Sequence, residues 1–357
     1  MLPISQPLLT WLQQPPAAWS RLPLTTRARL RWTSHWNTWN LRLSRDRLPA
    51  GRPPEPAPWL ILGAWRSGTT VMHELLAAAT GLPTPETWQC MSACSFALLG
   101  APPRNVAIAR PMDGLQVGPR SPQEDEFALL SMGVDSAYRA FLQPDRLGEL
   151  AHTLEGAHWL ADDGWLASLE AFLALCRLGQ AGVTRPMLLK SPNHTFRLQS
   201  LLRRWPGAPI VWMLRDPSAV FHSNRKMWRQ MIQTHRLDGQ TTMPDAALDD
   251  FLARALQQCA GQLRWLVQQP AVNWSLCAQE DLQQDPHGAV RRQLDQLAPG
   301  QPVDEAALAQ ALTRTGAGRI ERYTGELPAA ARAAIDALAA AQAEALDVAA
   351  RRQALKP

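Results

Sequence analysis

The chain has 357 residues, 46% of them hydrophobic and 19% charged, so it holds enough apolar surface for a full core and is not a disordered tail. Lys and Arg number 36 against 31 Asp and Glu, a net charge of +5 without the dense basic tracts that displace counterions from a duplex, so nucleic acid is not the expected partner. Mean hydropathy is -0.22 and no apolar run reaches the roughly 18 residues of a membrane span, while five scattered cysteines give neither a disulfide framework nor a zinc-spaced cluster; the expectation is a soluble chain in a reduced cytoplasm.

Residues 1–58 begin without the basic segment that would precede a signal sequence. They carry eight Arg against Asp46 and Glu55, with Trp11, Trp19, Trp32, Trp36 and Trp39, and end in the proline-rich linker Arg52-Pro-Pro-Glu-Pro-Ala-Pro58. This predicts two amphipathic helices, either a cap with its tryptophans in the core or an element in peripheral contact with a membrane. From Trp59 the pattern changes to short β-like runs, Trp59–Leu62, Pro186–Leu189 and Pro209–Leu214, each leading into a helix-compatible segment, with a further strand at Ser275–Ala278. The expected fold is α/β, a P-loop-like three-layer domain with a central parallel sheet over 59–325. An insertion at 80–185, helical from Trp159 to Leu178, reads as an acceptor-side lid. Helices are expected over Asp245–Leu266 and in the Ala-rich tail 326–357.

The first strand continues as Gly63-Ala-Trp65-Arg66-Ser67-Gly68-Thr69-Thr70, a turn into a helix start whose backbone N–H groups and hydroxyls make a phosphate cradle. The Gly63 to Gly68 spacing copies the nucleotide P-loop, but Thr69 stands where that motif places its Lys, and the cation has moved to Arg66. The other two strands run into Lys190-Ser-Pro-Asn-His194-Thr195 and Arg215-Asp-Pro217. Lys190 is one of three lysines in a chain where Arg supplies the other 33 cations, which suggests that a compact ammonium is wanted there. Ligands of open α/β sheets lie beyond the carboxyl ends of the strands, so Arg66, Lys190 and Arg215 are expected to converge. Three uncompensated cations in one crevice call for a multiply charged anion.

These residues resemble the sulfotransferase family that uses 3′-phosphoadenosine-5′-phosphosulfate (PAPS), especially its bacterial members. Trp65-Arg-Ser-Gly-Thr-Thr70 is similar to that family's 5′-phosphosulfate loop with Trp65 replacing a Pro, and Arg215 with Ser223 eight residues later matches its 3′-phosphate element. Arg110–Asp113, Gly118–Leu130 and Leu189–Thr195 also look like landmarks of one bacterial subgroup. The resemblance covers about 59–325 and implies a co-substrate PAPS held by Trp65, Arg66, Ser67, Gly68, Thr69, Thr70, Arg215 and Ser223, with Arg319 or Arg322 reaching the donor, and no metal. Two departures stand out: Val71 occupies the position where cytosolic animal members stack a Trp on the adenine, and their glycine-rich C-terminal loop is missing.

Sulfuryl transfer is an in-line displacement driven by positioning and fixed cations, a role expected of Arg66 and Lys190 at the leaving phosphate. The acceptor hydroxyl or amine needs a general base, for which the acidic cluster Glu124-Asp125-Glu126, with Asp125 and Glu126 put forward, then His194 and Glu86 are candidates. Three consecutive acids also suit a solvated face or a helix start. His73 and His222 read as packing or capping residues. Trp88, Trp159, Trp165, Phe96 and Met91 suggest a small-molecule or lipid-like acceptor and suit a core equally well. The competing readings are a deviant nucleotide kinase or NTPase, and an inactive member of the fold serving as a scaffold at a membrane surface.

Overall fold

The structure, a computed structural model, describes residues 4–14, 16–51, 54–102, 108–109, 116–178, 185–315 and 327–354. Four parallel strands form the central sheet: β1 (Trp59–Gly63), β2 (Leu188–Lys190), β3 (Ile210–Leu214) and β4 (Trp274–Ala278), in the order β2-β1-β3-β4. β1 and β3 are buried along their whole length, as apolar runs without alternation require of a sheet covered on both faces. Successive side chains go to opposite layers. Leu60, Leu62, Trp212 and Leu214 join one core, while Trp59, Ile61, Val211 and Met213 join the other.

The second layer is closed by three helices, Thr69–Thr80, Pro286–Leu297 and Glu305–Thr315, through residues such as Met72, Leu75, Val290, Leu294 and Leu308. The larger first layer contains the helices Asp163–Cys176, Leu198–Arg204, Pro217–His235, Asp245–Val267 and Ala329–Ala354. The last two pack closely because Ala331, Ala334, Ala341 and Ala345 put small side chains on one face.

Two boundaries differ from the sequence expectation. The stretch expected as one helix from Trp159 to Leu178 is two helices, Gly156–Ala161 and Asp163–Cys176, because the Asp162 carboxylate accepts from the Gly164 and Trp165 N–H groups and starts a new helix. The N-terminal segment is three helices rather than two: Gln6–Leu12, Pro16–Arg21 and Leu24–Asp46. Ile4, Leu8, Leu9 and Leu12 belong to the same continuous core as Leu60 and Leu62, and Gln143 Nε2 and Arg146 Nη1 donate to the carbonyls of Leu12 and Gln14. The segment is thus part of the body of the fold. Among the described residues no helix is long and apolar enough to cross a membrane.

Candidate active site

From β1 the chain returns at β2 on one side, then crosses to β3 on the other, so the crevice beyond Gly63 and Leu214 is the point where the winding direction reverses. Gly63 has φ +136°, and a Cβ there would lie 2.7 Å from the Met213 carbonyl oxygen, so the strand pair can close this tightly on glycine alone. The following turn is locked by Ser67, whose N–H and hydroxyl both donate to the Ala64 carbonyl at 3.2 and 2.7 Å. Arg66 lies in the left-handed region at φ +69°, a conformation that costs a non-glycine residue about 1–2 kcal/mol. Gly68, at φ +93°, then starts the helix Thr69–Thr80 with no side-chain cap, leaving its first N–H groups for a ligand.

The loop gathers the other two strand ends. Arg215 Nη1 donates to the Arg66 carbonyl at 2.6 Å, Arg66 Nε donates to the Ser223 hydroxyl at 3.1 Å, and Lys190 Nζ donates to the Thr70 hydroxyl at 3.2 Å. Asp216 caps the helix Pro217–His235 through the Ala219 N–H, which fixes Ser223 two turns on. Gln342 of the C-terminal helix holds the Arg215 carbonyl at 3.1 Å, so a tail in which the sequence shows no chemistry steadies the site.

Lys190 is not the uncompensated cation of the sequence reading. Its Nζ lies 2.6 Å from Glu124 Oε1, and Tyr138 donates to Glu124 Oε2 at 2.7 Å. Glu124 is the acid of the 124–126 cluster that meets the crevice lysine. Glu126 does not: it is fully buried, held at both oxygens by Arg197 and at one by the Ser136 hydroxyl, with Trp159 and Trp165 stacked on the guanidinium at 4.0 and 4.7 Å. Asp125 and His194 face each other at 2.9 Å, Oδ2 to Nε2, without hydrogen-bond alignment and with no exposed surface, so no acceptor reaches them in this state. Glu86 caps the helix Thr87–Met91 and accepts from the Trp88 indole.

Trp65 points away from the crevice. Its ring lies in the core 5.2 Å from Phe196 and 5.1 Å from Trp228, and its carbonyl accepts from Asn224 Nδ2 at 2.8 Å. The large indole anchors the loop from below. Trp159 and Trp165 are likewise core residues. His73 is fully buried with Nε2 2.6 Å from the Thr84 hydroxyl and 3.3 Å from the Leu188 carbonyl; burial, reinforced by Lys190, lowers its pKa to about 3. His222 is half-buried on the helix after Arg215. Arg319, Arg322 and the stretch Arg110–Asp113 lie outside the described residues.

Thr195 was not singled out by its sequence position, yet it accepts from the Gly63 N–H at 3.0 Å and donates to the Gly63 carbonyl at 2.9 Å, tying β1's end to the segment after Lys190. Asn224, directly after Ser223, braces the loop in the same way. Among the described residues, one group has metal-ligand spacing, Asp135 with His152 and His158. It is not part of these contacts, and its carboxylate pairs with Arg139 at 2.8 Å.

A parallel sheet with an uncapped helix start at its switch point, beside two arginines and a lysine, is the arrangement with which open α/β domains bind anionic ligands. The chain belongs to the sulfotransferase family, whose sequence profile matches residues 58–303. It is 29% identical over 252 residues to the omega-hydroxy-beta-dihydromenaquinone-9 sulfotransferases Stf3 of Mycobacterium bovis and Mycobacterium tuberculosis, an alignment covering 68% of this chain and 63% of theirs. The chain therefore spans less than two thirds of the curated relatives it matches. The fold is similar to that of the crystal structures of sulfotransferase STF1 from M. tuberculosis H37Rv (17% identity, TM-score 0.60, 94% of this chain and 90% of that one) and sulfotransferase STF9 from Mycobacterium avium (18%, 0.60, 97% and 96%).

Proposed function

We propose that this chain transfers the sulfuryl group of PAPS to a hydroxyl or amine of a small-molecule or lipid-like acceptor by in-line displacement. The observation that carries this reading is the gathering of three cations at one helix-start loop: Arg215 bonds the Arg66 carbonyl, Lys190 bonds Thr70, and the loop's own Arg66 reaches Ser223 on the helix after Arg215. The open N–H groups of the Gly68–Thr70 start and the Arg66 side chain hold the 5′-phosphosulfate, with Thr69 and Thr70 at its edge and Ser67 shaping the turn. Arg215 and Ser223 take the 3′-phosphate. The co-substrate supplies the electrophilic sulfur and a phosphate leaving group, and fixed positive charge is what that leaving group needs.

Glu124 is our assignment for the base. Its Oε1 lies 2.6 Å from Lys190 Nζ, so an oxygen for the acceptor's proton and a cation for the bridging oxygen stand side by side at the crevice. Asp125, His194, Glu126 and Arg197 form the buried support beneath, and we assign them positioning rather than catalytic roles. The domain 59–325 carries the reaction, with 80–185 on the acceptor side. The name of the Stf3 relatives supports a lipid-like acceptor, and five free, buried cysteines support a cytoplasmic site of action.

The test is incubation with sulfur-labelled PAPS and, separately, a hydroxylated isoprenoid quinone and a simple phenol. Label appearing in an acceptor is the expected outcome. Failure to label any hydroxylated compound, together with phosphate transfer from ATP, would make the chain a kinase instead.

A further inference from the structure

The helix Leu24–Asp46 has two faces, and one is unusual. Leu30, Ser34, Leu41 and Ser44 are buried, and the N-terminal strap fixes this side: the Gln6 N–H donates to Thr38 and its side chain to Ser34, while Asn37 donates to the Ile4 carbonyl. At about 100° per residue the opposite side is the line Leu24, Ala28, Trp32, Trp36, Trp39. The tryptophans are 75%, 55% and 53% exposed and Leu24 is 74% exposed. Tryptophan is seldom left this open, and three at positions i, i+4 and i+7 form a continuous apolar ridge rather than scattered exposure. Trp36 and Trp39 pack on one another at 5.7 Å, so the ridge is already assembled.

Charge beside the ridge has one sign. Arg29, Arg31, Arg42, Arg45 and Arg47 are exposed on the same helix and its end, and Asp46 is the one acid between residues 21 and 47. On the helical projection Arg29 flanks one side of the ridge, and Arg31 and Arg42 the other. A protein partner would need a groove lined with acids around an aromatic slot, whereas an anionic bilayer presents both features at once, headgroup charge above an apolar layer.

We propose that this helix lies flat on an anionic lipid surface, with Trp32, Trp36 and Trp39 at the acyl boundary and the flanking arginines among the headgroups. The surface also has a connection to the acceptor side of the fold. Arg47 donates to the Ala97 carbonyl at 2.7 Å on the short helix Phe96–Leu99, whose Leu99 is 78% exposed and whose Phe96 packs edge-on against Trp88 of the 80–185 insertion. A lipid-like acceptor taken from the bilayer would therefore enter near the insertion, which deepens the reading of the acceptor given above and rests on it in that respect alone.

The test uses the full chain and vesicles of pure phosphatidylcholine, or of phosphatidylcholine with one quarter phosphatidylglycerol, read by flotation. The chain is expected to float with the anionic vesicles and to remain behind with the neutral ones. The triple variant Trp32→Ala/Trp36→Ala/Trp39→Ala should lose about tenfold or more in partitioning, and Arg29→Gln/Arg31→Gln/Arg42→Gln about fivefold per charge removed, since each cation near an anionic surface contributes on that order. Both variants should keep their melting temperature and the stabilisation given by 3′-phosphoadenosine-5′-phosphate, which separates this surface from the nucleotide site. Equal flotation of parent and triple variant overturns the proposal. So does sedimentation showing a dimer that the triple variant dissolves, because the ridge would then be covered by a second copy of the chain.

Discussion

Glu126→Gln distinguishes a chemical from a structural role for the middle of the insertion. In the structure both Glu126 oxygens are bound to Arg197 and neither residue has appreciable exposure, so removing the negative charge leaves a guanidinium buried without its counterion. Breaking a buried pair by deleting one partner costs about 3–5 kcal/mol, and the faces of Trp159 and Trp165 recover a fraction of that. With an unfolding entropy of about 2 cal/mol/K per residue over 357 residues, this is a fall in Tm of about 4–7 °C. Scanning calorimetry of the variant, with and without 3′-phosphoadenosine-5′-phosphate, should show that fall with nucleotide stabilisation retained. The double variant Glu126→Leu/Arg197→Met, which replaces both charges by apolar groups, should regain most of the loss. A Glu126→Gln protein that melts like the parent but has lost turnover would refute the structural reading and return Glu126 to the chemistry.

Glu124→Gln should lower kcat by about 10²–10⁴ with nucleotide affinity changed little, because the amide cannot accept the acceptor's proton; loss of nucleotide binding with kcat preserved would remove Glu124 as base. His73 has a folded pKa of about 3, below its unfolded value of 6.5, so the unfolded chain takes up a proton that the folded one refuses. Its contribution to stability is therefore complete above pH 6.5 and falls as pH drops towards 3, by about 2 kcal/mol at pH 5. His73→Gln, which keeps a hydrogen-bonding group near Thr84, should flatten the drop in Tm between pH 7 and 5, and an identical drop would exclude His73 as its source. Gly68→Ala should destabilise by about 1–2 kcal/mol and weaken nucleotide binding, since φ is +93° and the added Cβ would sit 3.3 Å from Gln279. Denaturant unfolding with m unchanged and no shift in midpoint would contradict this.

The strands of the sheet were legible because a strand buried on both faces must be apolar at every position, and Trp59–Leu62 and Pro209–Leu214 have no other reading at that length. That they are neighbours was suggested only by the cations, since Arg66, Lys190 and Arg215 at three strand ends make sense together; the order of the strands had no signal in the sequence. The placement of the acids was not. Glu124, Asp125 and Glu126 are adjacent in sequence, but a helix beginning at Asp125 turns about 100° per residue, which sends Glu124 to Lys190 and Glu126 into the core with Arg197. Arg197 lies 71 residues away, and no local pattern marks it as a partner. Trp65 misleads for a similar reason: its position in the loop suggests a ligand contact, and its ring volume is used by the cluster of Phe196, Trp228 and Phe251. Thr195 acts through two hydrogen bonds to the Gly63 backbone and Gln342 through one to the Arg215 carbonyl, a contribution with no compositional signature.

The gathering of distant positive side chains around one doubly phosphorylated nucleotide is tested most directly by calorimetric titration of the chain with 3′-phosphoadenosine-5′-phosphate, alongside ATP and the Arg215→Ala variant. One site per chain is predicted, with affinity reduced at least about tenfold for the variant and binding to the 3′-phosphorylated nucleotide far tighter than to ATP. Equal affinity for both nucleotides, or an Arg215→Ala protein that binds as the parent does, would contradict the placement of the 3′-phosphate and the account built on it.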